Sequence, residues 1–405
     1  MNQNMVMIID LMNAAHRMRH VHGDLKTSKG RYTGVVFGFM AMMDKLLREF
    51  KPGAVIVANE STTGTKQNWR KDLYPAYKGD RAKRLQQETE EDSNRRIRFM
   101  QQEVRDDLLG KLLPGLGIPV VDLPAAEADD VIGYLTERAS SQDIETLIVS
   151  TDTDMVQLVN PRGKNAAVRV FAPTTDKMYY AADLSGTAGE IKDSTGKVHA
   201  CSWLNYQWIR AAVGDPSDSI KGINSIGKGR AAKLFEIPAR TGELLSVYMA
   251  RCRRMFANGT ATQPPFWDRL EAGFPILLRN IALMALRGTA TQYSRKKIEA
   301  AIDPHNSPYH QINVMQHIWN EKVLPCVSAN DGSTIGQLVR SRIDEDPSAF
   351  LNFFRSLEFE IAMSPAKSRK ILQQYKDLAD SSENILTEMF ASEIRGGTHY
   401  SRGVA

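Results

Sequence analysis

Four short apolar runs, residues 5–9, 54–57, 118–121 and 146–149, constrain the fold most: each is partly β-branched, about strand length, and followed by polar or helix-patterned sequence. Strands alternating with helices predict an α/β fold, a central and mainly parallel sheet flanked by helices on both faces. In such sheets ligands bind outside the carboxyl ends of the strands. Asp10 and Asp152 each follow one of these runs closely, so carboxylates distant in sequence are expected at one edge.

Further acids belong to the same set. Glu127, Asp129 and Asp130 open an amphipathic run at 131–139, Asp154 follows Asp152, and Asp215 and Asp218 come later. Acids in a first helical turn also complement the helix dipole, and two acids at a strand end also suit an Asx-type turn. Both explanations would have to hold together. Packed carboxylates repel one another and cost stability unless a cation neutralises them, so the set reads as a pocket for hard divalent ions.

The 405 residues can bury a sizeable core, and the net charge of +5 alongside an acidic pocket places excess positive charge elsewhere on the surface. That separation suits a hydrolase acting on a polyanion. Cys201, Cys252 and Cys326 are widely spaced with no CxxC pair, which supports neither a disulfide framework nor a cysteine zinc site, and a reducing cytoplasm is expected. His16, His20 and His22 lack a partner pattern for zinc and read as a helix end. The start of the chain lacks the features of a signal peptide. No stretch approaches ~18 apolar residues, so no membrane span is expected.

An insert at about 64–109 carries Lys66, Arg70, Lys71, Lys78, Arg81, Lys83 and Arg84, with Trp69, Tyr74 and Tyr77 interleaved, a pairing suited to phosphate neutralisation and base stacking. Its remainder, 86–109, reads as a charge-mixed helix. Farther on, Gly222, Gly227 and Gly229 stand among Lys221, Lys228, Arg230 and Lys233 before a helical run at 230–235. This is a helix-hairpin-helix pattern for gripping a DNA backbone without reading bases; an ordinary Gly-rich helical hairpin would look similar. Polar, Gly-rich segments at 184–199, 258–265 and 328–333 read as loops or subdomain joints. Past residue 235 the pattern is mostly helical, strongest at 274–286 and 349–361.

Taken in order, these pieces resemble the 5′ nuclease or flap endonuclease family, as in the 5′ nuclease domain of bacterial DNA polymerase I, the phage 5′ exonucleases and the phage RNase H type. The resemblance covers about residues 5–290, with a weaker echo to about 363. It is carried by Ile8-Ile9-Asp10, Thr27-Ser28-Lys29-Gly30 with Thr33, Gly34, Gly38 and Phe39, and Leu73-Tyr74-Pro75-Ala76-Tyr77-Lys78-Gly79-Asp80-Arg81. Then follow Glu127-Ala128-Asp129-Asp130, Ser150-Thr151-Asp152-Thr153-Asp154, Gly214-Asp215-Pro216-Ser217-Asp218 and Ile226-Gly227-Lys228-Gly229.

The resemblance implies a two-ion Mg²⁺ or Mn²⁺ enzyme that cleaves phosphodiesters near 5′ ends of DNA or RNA primers in replication or repair, leaving a 5′-phosphate. Asp10, Glu127, Asp129 and Asp152 would surround one ion, and Asp154, Asp215 and Asp218 a second, with Asp130 touching an ion or standing behind its ligands. A K⁺ ion would sit at the hairpin. Lys78 and Arg81 would contact the scissile phosphate and Tyr77 would stack on a terminal base. Arg70, Lys71, Lys83, Arg84, Lys221, Gly227, Lys228, Gly229 and Arg230 would hold DNA.

The family has an aspartate after the second strand, where this chain has Asn59 with Glu60 beside it, and Ser219 and Lys221 stand where the family has Asn and Pro. The alternative is therefore a DNA-binding scaffold of the same fold with weakened catalysis. A toxin-like metal-dependent RNase is disfavoured, because those domains lack the arch and the hairpin. The expected layout is a nuclease core at 1–200 with a helical arch at about 64–110, a helix-hairpin-helix region at 201–290, a helical part at 291–365 and a tail at 366–405. Expected partners are DNA with a free 5′ end, a 5′ flap or an RNA–DNA primer duplex, and replication proteins. With no polymerase motifs following, a stand-alone monomer in the cytoplasm of a bacterium or phage-infected host is expected, with no membrane association.

Overall fold

A computed structural model describes residues 2–60, 69–115, 118–123, 127–160, 167–180, 187–192, 195–240 and 242–286. Lys66, Cys326, the expected helix at 349–361 and the expected segments 291–365 and 366–405 lie outside the described residues.

The first apolar run becomes β1 (Asn2–Asp10), which leads directly into α1 (Leu11–His22) and then α2 (Gly34–Phe50). β2 (Pro52–Glu60) follows. The insert supplies α3 (Trp69–Leu73), α4 (Gly79–Gln86) and α5 (Glu90–Arg98), and α5 runs on as a π-helical segment, Phe99–Leu112, ending in the single turn α6 (Leu113–Gly115). After β3 (Val120–Leu123) come α7 (Ala128–Ser141), β4 (Glu145–Val149), a 3-10 turn at Thr153–Leu158, and the hairpin of β5 (Val168–Ala172) and β6 (Lys177–Tyr179).

These strands form one sheet in the order β3-β2-β1-β4-β5-β6, parallel throughout except for the β5–β6 hairpin. β1 is central, with Ile8 opposite both Ile56 of β2 and Ile148 of β4. Side chains alternate between the two faces with period two. Met5, Met7, Ile9, Val55 and Val57 therefore pack against α1, α2 and the π-helical segment, while Val6, Ile8, Ala54, Ile56 and Ala58 pack against α7 and the 3-10 turn. Burial on both faces explains why the strands read as continuous apolar runs. From β1 the chain builds outward first through β2 and β3, then through β4 and β5 on the other side. The switch point is thus the crevice at the carboxyl ends of β1 and β4.

Beyond the sheet, β7 (Thr187–Lys192) and β8 (Val198–Ser202) form an antiparallel hairpin. The sequence reading of 184–199 as a loop is corrected here. Glycines and charges obscure strand periodicity in this ribbon, whose turn includes Gly196 at φ +85°. A third apolar cluster gathers α8 (Tyr206–Val213), α9 (Lys228–Leu234), α10 (Leu245–Ala257), α11 (Trp267–Ala272) and α12 (Phe274–Met284). Between α8 and α9, the two-residue strands β9 (Gly214–Asp215) and β10 (Ile220–Lys221) pair antiparallel around a 3-10 turn, Pro216–Asp218. Gln157 joins this cluster to the sheet: its Nε2 donates to the Met284 carbonyl and its Oε1 accepts the Leu286 N–H, both at 2.9 Å. Among the described residues no helix is long and apolar enough to cross a membrane.

Candidate active site

Asp10 ends β1 and caps α1, accepting the Asn13 N–H at 3.1 Å and the Ser150 hydroxyl at 3.0 Å. Ser150, just past β4, accepts the Asp152 N–H at 3.1 Å, and Asp152 in turn accepts the Asp154 N–H at 2.8 Å. Asn13 Oδ1 accepts both the N–H and the hydroxyl of Thr151, at 3.0 and 2.8 Å. The ends of the two central strands are thereby locked to each other. Glu127 precedes α7, and its N–H donates to Asp130 Oδ2 at 3.1 Å.

The acids divide into two groups by what neutralises them. Arg70, only 2% exposed, grips Asp130 with two bonds of 2.7 and 2.6 Å and gives its Nε to the Leu283 carbonyl at 2.8 Å. Lys78 lies 2.8 Å from Glu127, Arg81 bonds Asp218 at 2.7 Å, and Arg210 bridges Asp154 and Asp215 at 2.6 and 3.1 Å. Asp10, Asp129 and Asp152 have no ion-pair partner among the described residues.

Acidity follows this division at Glu127, Asp10, Asp129 and Asp152, but not at Asp154, which is raised despite its arginine. Burial would raise the Glu127 carboxyl, but Arg70 and Lys78 hold it down at about 2. Burial pushes Asp10 up to about 6, against the bonds from Asn13 and Ser150. Asp129 is driven well above the carboxylate range by burial and by the like charges of Asp152, Asp10, Glu127 and Asp154. Asp152 and Asp154 are raised chiefly by burial, and Arg210 opposes the rise in both. Glu60, at the rim, is raised by burial with Lys78 opposing.

Asn59 is fully buried at the end of β2, in register with Asp122 of β3. Lys71, Lys83, Arg84, Lys221, Gly227, Lys228 and Arg230 are exposed, and Gly229 is half-buried. Two sequence expectations change. Tyr77 is 2% exposed, its hydroxyl donating to Glu127 at 2.8 Å, so its ring is not offered to a base in this arrangement. Arg70, grouped with the DNA-binding cations, is spent on Asp130 inside the protein. The reason is the same in both: the first turns of the insert fold onto the acids instead of facing solvent. Arg210 was missed, although a single cation within the otherwise apolar stretch of α8 is a legible signal.

Among the described residues no group of three or more His, Cys, Asp or Glu side chains is set at metal-binding geometry. Arginine and lysine pair with several of the acids instead. The donor set nevertheless fits a hard divalent ion, being all oxygen with three carboxylates that have no ion-pair partner among the described residues.

Residues 5–188 match the family model for the 5′-3′ exonuclease, N-terminal resolvase-like domain. The chain is 32% identical over 245 residues to DNA polymerase I of Deinococcus radiodurans, covering 60% of this chain and 22% of that one. It is 27% identical over 229 residues to a 5′-3′ exonuclease of Aquifex aeolicus, covering 56% of this chain and 68% of that one. Thus it spans only about a fifth of the polymerase. The fold is similar to that of the flap endonuclease of bacteriophage T5, crystallised as a pseudo-enzyme–product complex with DNA and metal ions. The TM-score is 0.54 at 19% identity, over 78% of this chain and 98% of the phage chain. The match over residues 5–188 takes in Asp10, Asp129, Asp152 and Asp154, so the stretch that is similar to 5′-3′ exonucleases is the one that brings these acids to the strand ends.

Proposed function

We propose that this chain is a divalent-metal-dependent 5′→3′ exonuclease and flap endonuclease, acting on 5′ ends, 5′ flaps or RNA–DNA primer duplexes and leaving a 5′-phosphate. The observation that carries the reading is the trio of buried Asp10 and half-buried Asp129 and Asp152, which has no ion-pair partner among the described residues although basic side chains neutralise the acids around it. Asp10, Glu127, Asp129 and Asp152 would hold one Mg²⁺ or Mn²⁺, and Asp154, Asp215 and Asp218 a second, with Asp130, Asn59 and Glu60 alongside. When bound, such ions acidify water and stabilise a leaving oxygen.

The chain's own part is an exchange of partners. Lys78 and Arg81 neutralise Glu127 and Asp218 here; were those acids to hold cations, both side chains would be free to face the phosphate and offset its developing charge. Lys71, Lys83 and Arg84 extend the positive path along the insert. Lys221, Lys228 and Arg230 would bind duplex phosphates through a helix-hairpin-helix built on α8 and α9, with a K⁺ ion in its turn. In this reading residues 1–200 are the nuclease core and 201–290 the duplex grip, and the enzyme works as a monomer beside other replication proteins in a bacterial or phage-infected cytoplasm.

A 5′-labelled flap duplex tests this. Mg²⁺- or Mn²⁺-dependent cleavage is expected, and its loss in an Asp152→Asn, Asp154→Asn double variant. Wild type that binds the flap yet never cuts it with either ion would make the chain a DNA-binding scaffold, with Asn59 as the suspected cause.

A further inference from the structure

Arg210 is held firmly by its helix. Its neighbours Ile209 and Ala211 are fully buried, and one turn earlier the Tyr206 hydroxyl donates to the Thr153 carbonyl at 3.0 Å. The guanidinium is thereby aimed at two acids from different elements. Nε donates to Asp154 Oδ1 at 2.8 Å, and Nη2 lies 2.6 Å from that oxygen and 3.1 Å from Asp215 Oδ2. The other Asp215 oxygen is already taken by the N–H and hydroxyl of Ser217, at 2.8 and 2.7 Å. The oxygen that Asp215 could offer a cation is therefore the one Arg210 holds. The side chains of Arg210, Asp154 and Asp215 are each 16% exposed, so solvent screens the contact little.

We propose that Arg210 is a positioning residue that acts as a built-in counter-ion of the second cation site. It keeps Asp154 and Asp215 together while no divalent ion is there, and a second ion binds only by displacing it. This rests on the functional reading above. Among the described residues Asp10, Asp129 and Asp152 have no cation at ion-pair distance, so cations fill the two halves in sequence. One positive charge against two carboxylates leaves a deficit that a divalent ion removes, which makes displacement favourable but weaker than binding to a free pair.

The test is a Mn²⁺ titration of the full chain without DNA, followed by calorimetry and by the spin-resonance signal of free Mn²⁺. Wild type is expected to bind in two steps. Arg210→Gln should tighten the second step about tenfold, leave the first unchanged, and lower the metal-free Tm in a way that Mn²⁺ restores. Arg210→Lys, which keeps the charge but cannot bridge both carboxylates, should fall between, and it carries the test if the Gln variant does not fold. A folded variant whose second step is unchanged or weaker overturns the role of Arg210 and leaves the nuclease reading standing. Wild type that binds no Mn²⁺ overturns both.

Discussion

Tyr77 donates its hydroxyl to Glu127 Oε2 over 2.8 Å, with Asp218 Oδ2 3.1 Å away. One phenolic proton serves two carboxylates, fastening the base of the insert to acids from α7 and from the turn after α8. Tyr77→Phe keeps the buried ring and removes the donor, so a loss of about 1–3 kcal/mol is expected in urea denaturation. Affinity for a flap duplex in Ca²⁺ should not change. Unaltered stability with weakened binding would restore the ring to base stacking.

Arg70 makes a comparable fastening with charge. Its side chain is 3% exposed and that of Asp130 16%, so removing one partner strands the other in a poorly solvated site. Arg70→Gln should cost about 3–5 kcal/mol. Adding Asp130→Asn should recover part of that loss, because the stranded carboxylate becomes neutral. A double-mutant cycle by chemical denaturation measures the coupling, and a cost below about 1 kcal/mol, the scale of an exposed pair, would place Arg70 among the DNA contacts instead.

How far the sequence reaches is visible in these two residues. Strand periodicity and the acids at strand ends are local signals, and they placed Asp10, Asp152 and Asp154 at one edge of a parallel sheet. The glycines around 214–229 likewise marked a turn between two helices. Which cation meets which acid is not local: Arg70 and Asp130 are 60 residues apart, and Tyr77 and Asp218 are 141 apart. A basic, aromatic insert looks the same in sequence whether it faces DNA or folds back on its own carboxylates. Only the packed structure separates the buried members, Arg70 and Tyr77, from the exposed Lys71, Lys83 and Arg84.

The unpaired acids should make metal-free stability depend on pH in an unusual direction. Asp10 titrates at about 6 in the folded protein against 3.8 for the ordinary side chain, so through that interval the native state holds a proton that the unfolded chain has released. Its contribution to stability is therefore greatest at low pH and declines as pH rises through about 6, by about 3 kcal/mol in all. Asp129 and Asp152, also raised, act in the same sense. Glu127 acts oppositely: Arg70 and Lys78 keep its carboxyl at about 2, and its stabilisation is lost only as pH falls toward that value. Asp10→Asn removes the charge and keeps one oxygen as acceptor for the Asn13 N–H, with the amide NH2 turned to the Ser150 hydroxyl oxygen. Metal-stripped Asp10→Asn should thus melt above wild type at pH 7.5, with the gap closing near about pH 4. Thermal scans should also show Mg²⁺ raising the wild-type Tm more at pH 7.5 than at pH 5.5, and the opposite trend would contradict the assignment.

Gly214 and Gly227 flank the same turn region, yet only one is required by the fold. Gly214 has φ +76°, and a Cβ there would lie 2.4 Å from the Gly222 nitrogen and 2.5 Å from the Ile220 carbonyl oxygen. Both obstacles are backbone, so nothing can swing aside, and the β9–β10 pairing that presents Asp215 would have to separate. Gly214→Ala should lose about 2–4 kcal/mol from strain and overpacking together. Gly227 has an ordinary φ of −89°, and a Cβ built on it meets nothing within 4 Å. Gly227→Ala should therefore stay within about 0.5 kcal/mol of wild type in denaturation. If the glycine is there so that a phosphate can approach the backbone at the start of α9, the added methyl blocks that approach. Duplex affinity, read by fluorescence anisotropy in Ca²⁺, should then fall about fivefold, or about 1 kcal/mol. Equal affinity in the alanine variant would remove the start of α9 from the DNA-binding surface and leave the exposed Lys221, Lys228 and Arg230 to account for it by charge alone.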